Sequence, residues 1–94
     1  MCRIEIVANQ SVQDDLTELL EEKIPNFLYT VIPLVHGRGG DDRKLGNTTW
    51  PETNFVLFSY VDDDDAEKVR AVVQAVKKKF KSEGIKLFVL KNAE

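Results

Sequence analysis

Ile4, Ile6 and Ala8 alternate with Arg3, Glu5 and Val7, a period of two that predicts a strand over 3–8. Asn9 and Gln10 break it, and the period then changes. Val12, Leu16, Leu19, Leu20 and Ile24 fall on one helical stripe, with Asp14, Asp15, Glu18, Glu21 and Glu22 on the other side. Ser11 is the predicted N-cap of this helix, with Asp14 in capping-box position, and Pro25 and Asn26 end it. Two strand-like runs follow, FLYTVIPLV (27–35) and FVLFSYV (55–61), separated by the polar, glycine-rich HGRGGDDRKLGNTTW (36–50). Pro33 has no N–H for a ladder, so the first run is expected to have an unpaired side there or to carry a bulge. Asp62 to Asp65 open a second helix, whose stripe is Val69, Val72, Val73, Val76 and Phe80. Gly84 is the expected helix stop, KLFVL (86–90) the fourth strand, and 92–94 a frayed end.

The order β-α-β-β-α-β predicts an α+β, ferredoxin-like fold over 1–94 as one domain, a four-stranded antiparallel sheet with both helices on one face. Such a sheet is ordinarily polar on its other face. Here the second strand has Leu28, Ile32 and Leu34 on one parity and Tyr29, Val31 and Val35 on the other. The third sets Phe55 and Leu57 against Val56, Phe58 and Tyr60. An uncovered face this apolar promotes association, so a second copy of the chain is expected to cover it.

Composition narrows the function. Apolar residues make up 43% of the 94 and only three are proline, which predicts a folded chain. The formal charge of −3 argues against a general nucleic-acid or membrane-surface binder. An RNA-binding sheet would also want aromatics on the first strand, which has none. Cys2 is the one cysteine, so no internal disulfide forms, and a reducing, cytoplasmic setting is expected. No apolar run is long enough to cross a bilayer, so no direct membrane insertion is expected.

Candidate chemistry concentrates in the connection after the second strand, which is longer than a hairpin requires. Gly37, Gly39 and Gly40 allow close backbone approach to a ligand, and Arg38, Arg43 and Lys44 suit a phosphate or carboxylate. Trp50 could anchor a partner protein. His36 is a candidate for a metal or a phosphate, and a metal site would need Cys2 or carboxylates to converge with it. Asp62–Asp65 reads as a helix cap before a cation site, Lys77, Lys78, Lys79 and Lys81 as the matching cations at the other end, and Cys2 as a small buried filler.

On this scaffold the chain resembles a PII-type signalling protein over nearly its whole length. SVQDDLTELLEE resembles the family's first helix with its paired aspartates, VHGRGG (35–40) the glycine-x-glycine at the base of the long T-loop, VDDDDAEKVRAVV the second helix, and KLFVL the start of the fourth strand. The segment 36–52 then stands as a shortened T-loop, and SEGI (82–85) replaces the family's glycine-rich phosphate loop. The resemblance implies a homotrimer whose sheets form a central barrel. It implies a small-molecule effector, an adenine nucleotide or a bicarbonate-like anion, in clefts between subunits. Gly37 and Gly39 match the loop-base glycines and Lys86 the phosphate-binding lysine; Arg38 and Gly40 lie between or beside them. It further implies a partner protein, a transporter or an enzyme, met by the loop through Arg43, Lys44 and Trp50, and no catalysis. The alternative is a divalent or heavy-metal-linked role on the same architecture, as in CutA-type trimers, with His36 or Cys2 as ligands. Acylphosphatase, a hydrolase of similar plan, needs an arginine in a glycine-flanked loop after the first strand, where this chain has ANQS (8–11).

Overall fold

The alternation near the N-terminus forms strand β1 (Cys2–Asn9), whose even-numbered residues are buried and whose odd-numbered ones are half-buried. The computed structural model describes residues 1–37 and 53–93. After β1 come helix α1 (Gln13–Lys23), strands β2 (Thr30–Val35) and β3 (Asn54–Val61), helix α2 (Asp63–Lys79) and strand β4 (Ile85–Lys91). The sheet order is β2-β3-β1-β4 and every pairing is antiparallel. This is the ferredoxin-like plan expected from the order of elements.

Both helices bury their stripes against one face of the sheet. Val12, Leu16, Leu20 and Ile24 meet Val69, Val72, Val73 and Val76 over Ile4, Ile6, Phe55 and Leu57, all buried. Leu19 and Phe80 pack at the margin, as partly buried members of their stripes. Lys79 Nζ lies 3.4 Å from Asp15 Oδ1 and ties the two helices at the surface. Asp62 caps α2, its carboxylate accepting from the Asp65 N–H at 2.8 Å, with Asp63–Asp65 in the first turn and Lys77–Lys79 in the last.

Several local expectations are corrected. Ser11 does not cap α1. Asn9 accepts from the Ser11 N–H at 2.9 Å, because its short amide reaches two residues along the chain, and a 3-10 turn over Gln10–Val12 precedes the helix. Gly84 does not stop α2, which ends at Lys79 with the Phe80 N–H bonded to the Val76 carbonyl. Phe27–Tyr29 lie outside β2, with the rings of Phe27 and Tyr29 stacked 5.2 Å apart. Ala93, expected to be frayed, is held by its N–H on the Met1 carbonyl at 3.0 Å, and Glu94 lies outside the described residues.

The expected irregularity at Pro33 is present. Ile32 pairs with Val56 and Val35 with Asn54, so three steps along β2 match two along β3. One extra residue is accommodated as a bulge on this edge strand. The bulge also moves Val35 onto the face of Ile32, where strict alternation would place it with Val31.

Cys2 is buried, as expected of a filler, and it has a partner: its thiol donates to Asp63 Oδ1 at 3.0 Å. That hydrogen bond, with burial, pushes the thiol above its ordinary value and holds the Asp63 carboxyl below its own. The stabilisation from the raised thiol is lost as pH rises through its folded value. That from the depressed carboxyl is lost as pH falls through its own, so the bond is intact at neutral pH. Iodoacetamide at about pH 8 is expected to modify Cys2 at least tenfold more slowly than free cysteine, since the thiolate is the nucleophile. Asp63→Asn, which removes the charge, should raise that rate.

Candidate functional site

Loop-base residues collect at one end of the sheet. Asn9 pairs with Asn54, Asn54 with Val35, and Ala8 with Ile85, so the exits of β1 and β2 and the starts of β3 and β4 lie together. His36 and Gly37 leave β2 there, both exposed. A Cβ built on Gly37 would stand 3.6 Å from the Asn54 amide nitrogen, an ordinary contact, and its φ is not positive. The described backbone therefore does not require glycine at this position on steric grounds. Arg38, Gly39, Gly40, Arg43, Lys44 and Trp50 lie outside the described residues.

Lys86 is exposed at the same end, opposite Val7. It stands on β4, however, and Gly37 follows β2, the two opposite edges of the sheet. Three strand spacings separate those edges, roughly 14 Å. The two sequence-predicted ligand residues share an end of the sheet but not an edge, and one chain does not bring them into a single contact.

The loop base contains a residue that the sequence pattern marks only as a strand breaker. The Gln10 backbone N–H donates to the Thr53 carbonyl at 3.0 Å, and its side-chain amide nitrogen donates to the Pro33 carbonyl. The Gln10 amide oxygen accepts from the Thr53 hydroxyl at 3.2 Å. Pro33 announces a disrupted ladder, but nothing local announces which side chain reaches its carbonyl.

The convergence of Cys2 with His36 on a metal within one chain is not realised. Cys2 begins β1, beside Val61, and His36 sits at the Asn9 end, about 20 Å away along an eight-residue strand. Among the described residues no cluster of three or more His, Cys, Asp and Glu is arranged to hold a metal ion. An open groove lined by Glu67, Arg70, Gln74, Lys77 and Leu87 runs between α2 and β4, apart from the loop base.

The face of the sheet away from the helices is largely apolar. It presents Ile32, Val56, Phe58, Tyr60, Val7, Phe88 and Leu90, with Tyr60 52% and Phe88 51% exposed. Arg3 and Glu5 are its central charges, and they neutralise each other: Arg3 Nε lies 3.2 Å from Glu5 Oε2. The Arg3 guanidinium also bonds the Tyr60 hydroxyl and lies 4.5 Å from the Phe58 ring centroid.

No protein-family model and no curated protein sequence matches the chain. Solved structures do. A protein of Thermus thermophilus named a PII-like signalling protein superposes with a TM-score of 0.65 at 19% identity, covering 94% of this chain and 82% of that one. CPII of Thiomonas intermedia, a nitrogen regulatory PII-like protein bound to ADP, AMP and bicarbonate, gives 0.68 at 16% identity, covering 94% and 84%. Its apo form gives 0.63 at 13%, covering 95% and 87%. The fold is that of PII-like proteins. The resemblance drawn from the paired aspartates, the loop-base glycines and the fourth strand is thus met at the level of backbone architecture, at identities low enough to call the chain divergent. The PII-like fold accounts for both helices lying on one face of the sheet. Among the described residues no helix is long and apolar enough to cross a membrane.

Proposed function

We propose that this chain is a non-catalytic PII-like sensor, cytoplasmic and homotrimeric, which holds a small anionic effector between subunits and signals to a partner protein through 36–52. The observation that carries this reading is the placement of Gly37 and Lys86 at one end of the sheet on opposite edges. Two copies set edge to edge would bring the β2 exit of one to Lys86 of the other. The apolar open face supplies a reason for copies to assemble. The effector would be a nucleotide or a bicarbonate-like anion, the ligand classes named for CPII. Backbone N–H groups of Gly37, Gly39 and Gly40 would meet the anion with Arg38 and Lys86 as cations. Arg43, Lys44 and Trp50 would face the partner, a transporter or an enzyme.

Calorimetric titration of ADP, AMP, ATP and bicarbonate, with Trp50 fluorescence followed in parallel, tests the reading. Saturable binding of at least one is expected. Lys86→Ala should weaken it about tenfold or more, the loss of one charge-assisted contact. Gly37→Ala should leave thermal stability within about 0.5 kcal/mol and still weaken binding, because the added methyl obstructs ligand approach and not folding. Silence toward all four ligands would remove the small-anion reading.

A further inference from the structure

Gln10 stands just past the end of β1, yet its side chain serves the junction of β2 with β3. The bulge between Ile32 and Val35 takes the Pro33 carbonyl out of the regular ladder. A backbone carbonyl that loses its ladder partner needs another donor or water. Since a carbonyl only accepts, the Gln10 amide must turn its nitrogen to Pro33. This leaves its oxygen for the Thr53 hydroxyl, and the two contacts fix one amide orientation. With the Gln10 N–H on the Thr53 carbonyl, a single residue ties Pro33, near the end of β2, to Thr53, the first residue before β3.

We infer that Gln10 is a positioning residue for the proposed effector site. It holds the bulged end of β2 against the start of β3, beside the exit of Gly37, and so sets effector affinity without touching the effector. This rests on the proposed sensor reading. Its first readout, however, needs no ligand. Replacement of Gln10 by alanine removes both side-chain contacts. Gln10→Glu keeps an acceptor for Thr53 but at neutral pH cannot donate to Pro33, so the two variants should behave alike at the bulge.

Hydrogen exchange of the intact chain is the test. In both variants, the amides of Val35 and Asn54, which pair across the end of β2, and of Gln10, bonded to the Thr53 carbonyl, are expected to exchange about tenfold faster, the effect of losing one net hydrogen bond. Amides of Ile4, Ile6 and Leu57, in the middle of the sheet, should stay within about twofold. The proposal is overturned by unchanged exchange at the loop base. It is equally overturned by a uniform rise through the sheet, which would mean a general loss of stability. Titration of Gln10→Ala with any effector that the wild type binds should show weaker binding, and unchanged affinity there would overturn the positioning role. Should the wild type bind no effector, the sensor reading fails, while the exchange result still decides whether Gln10 holds the loop base.

Discussion

Phe88→Glu is expected to convert the proposed trimer into folded monomers of 10.7 kDa. Phe88 is half-exposed in the single chain, on the sheet face that no helix covers, and it pairs across β1 with Glu5. In a monomer a glutamate there remains hydrated, so the fold should survive. In a trimer closed by these faces the same carboxylate would be buried without a cation. Arg3, diagonal to Phe88 on this face, is already engaged by Glu5, Phe58 and Tyr60, and Lys86, two residues before Phe88, stands at the loop end where the proposed effector would engage it. An uncompensated buried charge costs several kcal/mol per protomer, and three would be buried together. Sedimentation at micromolar concentration should give about three times the chain mass for the wild type and the chain mass for the variant, with far-ultraviolet circular dichroism unchanged. A wild type that sediments as a monomer would end the shared-cleft proposal.

Phe55→Ala attacks the other side of the sheet and should nearly unfold the chain. Phe55 is fully buried, pairs with Ala8, and lies on the helix-covered face at the loop end. Removing so large a side chain costs about 3–5 kcal/mol through lost burial and the cavity left behind. A domain of this size holds only about 5–15 kcal/mol in total. At about 4–8 °C per kcal/mol, the midpoint should fall by roughly 15–30 °C. Because the proposed assembly would add concentration-dependent stability, wild type and variant must be compared at one protomer concentration. Val56→Ala, one residue along on the open face, should cost the fold far less and the assembly more. Equal effects of the two substitutions on folding would contradict the division of β3 into a core face and an open face.

The element order was legible because it depends on residues close together in the chain. Two-residue alternation in β1 and the valine stripe of α2 need only a local helix or strand to acquire meaning. Pro33 likewise announced its bulge, since a missing N–H is a property of the residue itself. The double apolar character of β2 and β3 pointed to an uncovered face before any packing was known.

Other features depended on separations that periodicity does not encode. That Gly37 and Lys86 share an end of the sheet but stand on opposite edges follows from the strand order, which leaves no mark in the composition of either strand. Cys2 finds Asp63 across 61 residues, and Gln10 finds Pro33 across 23, only because β1 lies at the centre of the sheet with α2 packed above it. Even the entry to α1 departs from the expected Ser11 cap, because the Asn9 side chain accepts from the Ser11 N–H and caps a 3-10 turn that precedes the helix. Sequence by itself determined the elements, their apolar faces and the position of the break in β2. Tertiary structure decided which polar groups meet, because hydrogen bonds and ion pairs act over a few ångströms of space whatever the distance along the chain.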